Sequence, residues 1–165
     1  MQADAVDRIV AQWERERPDL DPAPMALIGR LKRASALMQV ELEKGFAECG
    51  LAMWEFDMLA TLRLSGEPYC LAPTALFSAL MVTSGTMTHR LKQLEKRALV
   101  ARLDNPQDAR SKLVQLTPDG LALIDRAVEV HLDNERRILA ALSDSEQSGI
   151  DQSLRLLLAK LEAEE

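Results

Sequence analysis

One stretch interrupts a chain that otherwise reads as helix: "LVARL" and "KLVQLT", between Leu99 and Thr117, are short strand-like runs enclosing "DNPQDARS", whose Asp, Asn and Pro are turn formers. A β-hairpin with a long tip is predicted there. Just ahead of it, "VTS" separates a short helix, predicted from Pro73 to about Leu80, from a second helix opening at Ser84. Two helices joined by so short a turn have helix-turn-helix geometry, with Ser84 as the expected N-cap. At about 100° per residue, Met87, Leu91, Leu94 and Ala98 fall within a narrow arc and predict the buried stripe of the second helix. Thr88, His89, Lys92, Gln93 and Lys96 then face away.

The outward face combines hydroxyls, an amide, an imidazole and cations, groups that hydrogen-bond base edges and phosphates in a major groove. A net charge of -6 argues superficially against nucleic acid. Placement matters more than the total, because Ser84 to Lys112 holds seven Lys and Arg against three acids. A basic hairpin after a candidate reading helix is a wing, and Arg110 at its tip suits a minor groove, where narrowness concentrates negative potential. Asp108 is acidic beside DNA, so an internal role is expected for it, holding the tip or orienting a nearby Arg. The competing readings are a plain solvated helix face and an ordinary polar hairpin.

Elsewhere, 47% hydrophobic residues with only 4% aromatics, Leu and Ala dominating, suit packed helices and a mostly α fold. At 165 residues one domain is expected. A first helix near Ala5 to Arg17 stops at "PDLDPAP", and a long one follows from about Met25, with Leu27, Ile28, Leu31, Ala34, Leu37, Met38 and Leu42 at helical spacing, until Gly50. "AMWEFDMLATLRL" is apolar on most sides and is predicted to be central. Thr117 and Pro118 open a helix with Leu121, Ile124, Val128, Leu132 and Leu139 on one stripe. "SDSE", from Ser143, has capping-box spacing and precedes Ile150, Leu154, Leu157, Leu158 and Leu161 on another. These last stripes lack a partner domain, so a second copy of the chain is expected to bury them; a compact monomeric bundle is the alternative. No apolar run approaches the roughly 20 residues of a membrane span, and the N-terminus does not read as a signal peptide, so a cytoplasmic location is expected.

An enzyme is not expected, since no nucleophile has a spaced base and the histidines are only His89 and His131. No metal cluster or cofactor motif appears. Cys49 and Cys70 have no C-x-x-C spacing; they read as buried hydrophobes, with an oxidant-sensing thiol as the alternative. A helical protein-interaction module without a DNA role is the remaining rival, separable by salt-dependent binding of duplex DNA.

"TSGTMTHRLKQLEKRALVAR" followed by "DARSKLVQLTPDG" resembles the winged helix of the MarR family of bacterial transcription regulators, across Leu76 to Gly120. The resemblance extends over nearly the whole chain. It implies one MarR-type domain, residues 1–165, in which 5–50 and 118–165 supply dimerisation helices and 51–117 the winged helix-turn-helix with a two-stranded β wing. By position it assigns Ser84, Thr86, Thr88, His89 and Arg90 to the DNA-reading helix, whose outward face also carries Lys92 and Gln93, and Asp108 and Arg110 to the wing. It further implies a homodimeric repressor on a double-stranded operator, released by a small-molecule effector.

"DRIVAQWERERPDLDPAPM" together with "WEFDMLATLR" is similar to the branch of that family in which an added first helix helps form a site for urate or a related anion. Trp13, Asp57 and Arg90 match that pattern. Its remaining Arg falls on Leu64, with Arg63 one step and about 100° away, so an anionic or aromatic ligand other than urate is expected. On its own residues, Asp57 sits among Trp54, Phe56, Met58 and Leu59 and needs a partner or ligand, unless the helix dipole alone accounts for it. Arg90 lies at the margin between the buried stripe and the outward face, and Trp13 on its own reads as a packing aromatic sooner than as a ligand contact.

Overall fold

In the computed structural model, residues 3–80, 84–106 and 111–163 are described. The elements run α1 (Ala5–Glu16), α2 (Ala23–Glu48), α3 (Met53–Leu64), β1 (Cys70–Leu71), α4 (Pro73–Leu80), α5 (Ser84–Lys96), β2 (Val100–Asp104), β3 (Lys112–Leu116), α6 (Pro118–Leu139) and α7 (Asp144–Glu162). The chain forms two compact units, one up to Glu41 and one from Leu42 onward, with α2 contributing to both. The mostly α fold with a small sheet agrees with the sequence expectation.

In the N-terminal unit, Asp4 caps α1, its carboxylate accepting from the backbone N–H groups of Val6 (2.7 Å) and Asp7 (2.9 Å), while Asp7 accepts from Asp4 N–H (2.8 Å). Arg30 on α2 donates to both acids, reaching Asp4 at 2.8 Å, and Val6 is buried beside Gly29. Helix α2 begins at Ala23, two residues before the expected Met25, because Pro24 fits a first turn where no N–H is needed and Asp21 accepts from Ala23 N–H at 2.9 Å. The Arg30 hydrogen bond is the main cause that holds the Asp4 carboxyl down, at about 2 instead of 3.8. A carboxyl lowered in the folded state stabilises fully above its unfolded value and loses that contribution as pH falls through the folded one. Acidification between these values is therefore expected to loosen α1, seen as a step in Trp13 fluorescence in a Trp54→Phe background. Arg30→Ala should abolish the step; a step that survives the substitution would show another group to be responsible.

The second unit has one core, in which Phe46, Phe56, Met58, Leu59, Leu62, Leu76, Leu91, Leu94, Leu99, Val114 and Ile124 cluster. Helix α3 is central as its composition predicts, burying Glu55, Phe56, Met58, Leu59 and Leu62. The expected hairpin is β2–β3, paired antiparallel from Val100↔Leu116 to Asp104↔Lys112. A third strand was not foreseen: β1 adds to β3 through Cys70↔Gln115 and Leu71↔Val114, giving the order β1-β3-β2. Two residues are too short to show strand alternation.

Ala98 does not join the buried stripe. α5 ends at Lys96, and Ala98 adopts φ +55, with its N–H bonded to Glu95 O (2.9 Å) and Leu99 N–H to Leu94 O (3.0 Å). This left-handed helix stop exposes Ala98 and turns Leu99 into the core instead. Beyond it, Leu99 C=O accepts from Thr117 N–H (3.1 Å) and Thr117 Oγ1 (3.2 Å), and Gly120 packs against that same carbonyl.

Thr117 caps α6 and Ser143 caps α7 through the foreseen capping box. Helix α7 buries no residue within the chain, and Ile150, Leu154, Leu157, Leu158 and Leu161 all lie exposed, as do Leu132 and Leu139 on α6. Among the described residues no helix is long and apolar enough to cross a membrane.

Candidate nucleic-acid interface and adjoining cavity

Helix α5 is seated by Leu91 and Leu94, both in the core, which sets the rotation of everything else on it. Thr88, His89, Lys92, Gln93 and Lys96 are exposed, as the periodicity predicts, Thr86 is exposed as well, and Arg90 is half-buried between the two faces. His89 and Gln93, one turn apart, meet at 2.9 Å between His89 Nε2 and Gln93 Nε2, so this pair is already aligned on the outward face. The side chains of Ser84 and Met87, and Asp108 and Arg110 of the hairpin tip, lie outside the described residues, as does the turn before Ser84. At the described base of the tip, Asn105 Nδ2 donates to Ser111 Oγ at 2.8 Å.

The cation surplus of this region is smaller in space than in sequence. Arg97 pairs with Glu55 at 2.6 Å, Arg102 with Glu95 at 3.0 Å, and Lys112 with Asp104 directly across the hairpin. Among the described residues, Lys92 and Lys96 are the outward cations without an ion-pair partner. A phosphate-binding face built from them is narrow, and its charge comes from α5 itself.

Behind α5 lies a cavity of about 540 Å³ lined by Glu43, Ala47, Leu51, Ala52, Met53, Trp54, Asp57 and Arg90. Two of the predicted ligand residues meet here. The Arg90 guanidinium lies over the Trp54 ring, 5.3 Å from its centroid, a cation–π arrangement that leaves its donors able to turn toward a ligand. Among the described residues no side chain hydrogen-bonds the Asp57 carboxylate. Desolvation by its neighbours pushes the Asp57 carboxyl above its ordinary value, against the opposing pull of Arg90 and His131. Asp57 is the fifth residue of α3, past the first turn, so a cap does not account for it. His131 of α6 completes a cluster with Phe46 and Phe56, stacked on Phe46 (5.1 Å) and tilted against Phe56 (4.9 Å), and pairs with Glu135 at 3.2 Å.

Of the other two ligand candidates, Leu64 lies elsewhere. Leu64 is at the far end of α3, 87% exposed and not among the residues lining this cavity. Its neighbour Arg63 is engaged by Asp125 of α6 at 2.7 Å and sits over the Tyr69 ring, so it is not available as a substitute cation. Trp13 belongs to the N-terminal unit, on α1. Sequence reasoning noted Trp54 only as a neighbour of Asp57 and missed its stacking on Arg90, since the two are far apart in the chain. Cys49 and Cys70 are both partly buried, and burial pushes the Cys70 thiol up, away from the thiolate that an oxidant sensor needs.

Comparison with known proteins converges on one family. The sequence profile of the MarR family matches residues 51–112. The chain is 45% identical over 157 residues to the HTH-type transcriptional regulator PecS of Dickeya dadantii, covering 95% of this chain and 92% of that protein. The solved apo structure of MarR from E. coli superposes with a TM-score of 0.69 at 26% identity, covering 79% of this chain and 95% of that one. Bordetella bronchiseptica BpsR, whose structure concerns regulation of its DNA binding by 6-hydroxynicotinic acid, superposes with a TM-score of 0.65 at 26% identity, covering 77% and 89% of the two chains.

Proposed function

The chain belongs to the MarR family and is a DNA-binding transcriptional regulator, not an enzyme; from that premise we propose a cytoplasmic homodimeric repressor released from its operator by a small aromatic or otherwise apolar carboxylate. Ser84, Thr86, Thr88, His89, Lys92 and Gln93 read the major groove, and the wing follows the adjacent minor groove with Arg110, oriented by Asp108. A twofold dimer places equivalent helices on a pseudo-palindromic site, its half-sites about 34 Å apart. Two uncovered apolar surfaces support dimerisation: the α7 stripe, and a groove between α1 and α2 where Ile9, Leu37 and Val40 are exposed.

The observation that carries the ligand reading is Arg90, a residue of the DNA-reading helix whose guanidinium lines a cavity beside Asp57 and Trp54. A carboxylate drawn to Arg90 competes with the seating of α5, so ligand and DNA oppose each other, each weakening the other by the same factor. Arg90 is the one cation among the described residues lining this cavity, so one guanidinium must hold the anion. A monocarboxylate with an aromatic or apolar body suits that site better than urate, and the 6-hydroxynicotinic acid named with BpsR is an aromatic monocarboxylic acid.

Asp57 gives the reading a pH signature. An anion beside Arg90 is repelled by ionised Asp57 and hydrogen-bonded by the neutral acid, so binding takes up a proton at a carboxyl already raised from 3.8. Affinity for 6-hydroxynicotinate should therefore increase as pH falls from neutrality toward that raised value. Asp57→Asn should bind tightly with little pH dependence, and Arg90→Ala should lose binding at least about tenfold, the loss of a charge-assisted pair. Calorimetric titration with 6-hydroxynicotinate, benzoate and urate checks this. Tight urate binding with none by either carboxylate would overturn the ligand class and leave the DNA-binding function intact.

A further inference from the structure

The basic residue that follows the reading helix turns its donors to the protein itself, although its side chain stays 39% exposed. Arg97 directly follows α5, yet its Nη1 donates to Glu55 Oε1 at 2.6 Å and its Nη2 to Gly50 O at 2.9 Å. Glu55 is 6% exposed, and its other oxygen accepts from Ala52 N–H at 2.9 Å, closing the first turn of α3. One buried carboxylate thus fixes the start of α3 and the end of α5 together. Gly50 and Ala52 belong to the same α2–α3 corner whose residues Leu51, Ala52 and Met53 line the cavity. Arg90 and Arg97 are seven residues, two helical turns, apart and engage adjacent residues of α3, Trp54 and Glu55. Arg90 is held by a ring face and the attraction of Asp57, Arg97 by two directed hydrogen bonds.

We propose that Arg97 is a positioning residue for base recognition: it pins the C-terminal end of α5 to the cavity's corner and leaves the Arg90 end as the part that moves. Base readout tolerates errors of only about half an ångström, so the angle of α5 must be set by something rigid. Drawing Arg97 away to a phosphate would strand the Glu55 carboxylate in the core, which makes a DNA-contact role unfavourable. This role rests on the assignment of α5 as the DNA-reading helix.

The test compares wild type, Arg97→Gln, Arg97→Lys, Glu55→Gln and the Glu55→Gln/Arg97→Gln double variant. Each is titrated at several salt concentrations with a duplex selected by the wild type from random sequence, and with an unrelated duplex of equal length. The expected result is about a tenfold drop in the ratio of selected to unrelated affinity for Arg97→Gln and Glu55→Gln, with partial rescue in Arg97→Lys and no further loss in the double variant. Unrelated affinity and the salt slope should stay at their wild-type values. A direct phosphate contact predicts instead that Arg97→Gln weakens both duplexes equally and lowers the slope by about one while Glu55→Gln does nothing; that outcome overturns the proposal. So does an unchanged ratio in both single variants, or a fall in both affinities that matches the loss of folded protein. His89→Ala separates the two layers: a reduced ratio there with none in Arg97→Gln removes the positioning role alone, whereas an unchanged ratio in His89→Ala and Thr88→Ala removes the reading face and the positioning role together.

Discussion

Gly120→Ala is expected to destabilise the protein by about 3 kcal/mol or more, a drop in thermal midpoint on the order of 10 °C. A Cβ at this position would stand 2.0 Å from the Leu99 carbonyl oxygen and 2.9 Å from its carbon. Both are backbone atoms, and that oxygen is already held by Thr117 N–H and Thr117 Oγ1. Relief requires prising the first turn of α6 from the segment that links α5 to the wing, which breaks the Thr117 cap as well. Gly45→Ala is the internal control. Its Cβ would meet Asn134 Nδ2 at 2.8 Å, the far end of a side chain, so a smaller loss is expected. Circular-dichroism melts of both variants decide it: a Gly120→Ala midpoint equal to wild type, or a greater loss in Gly45→Ala, would contradict the packing described.

The second large effect concerns assembly. Leu157→Glu with Leu161→Glu on α7 is expected to convert the protein to monomer and to weaken binding to the selected duplex by roughly 10²- to 10⁴-fold, because two linked half-site contacts become one. Glutamate is a good helix former, and the Ser143–Glu146 capping box is untouched, so α7 itself should persist. What is lost is apolar burial against the second copy, about 2 kcal/mol for each leucine. Light scattering after size exclusion, paired with the duplex titration, provides the check. A double variant that stays dimeric at micromolar concentration would place the interface on other faces.

The features legible in the sequence were those with a local period. The outward face of α5, the hairpin and the caps of α6 and α7 all follow from residues within a few positions of one another. Ala98 broke the rule because a left-handed stop ends the helix before its period completes, and only the backbone shows that. The charge count of the α5–wing region misled for a different reason. Arg97 finds Glu55 across 42 positions, and Lys112 finds Asp104 across the hairpin, pairings that a linear tally treats as free cations. The cavity was half legible. The resemblance groups Asp57 and Arg90 in one site, but their meeting at Trp54 depends on how α3 and α5 pack in the core. Leu64 comes from the position that the resemblance gives to a second Arg on α3, and a matched position says nothing of which residues the cavity reaches.

The division of labour around α5 has a consequence for how such regulators diversify. Its inward anchors are Leu91, Leu94 and the adjoining Arg97, whereas Thr88, His89, Lys92 and Gln93 project away from the core. Outward positions can be rewritten without disturbing packing, so a duplicated copy can drift to a new operator while keeping its fold. Arg90 is the exception, half inside and tied to Trp54. With the effector site proposed above, a lineage that preserves Arg90 and Trp54 inherits the same chemical trigger whatever genes it comes to control, and a lineage that loses either must find its signal elsewhere.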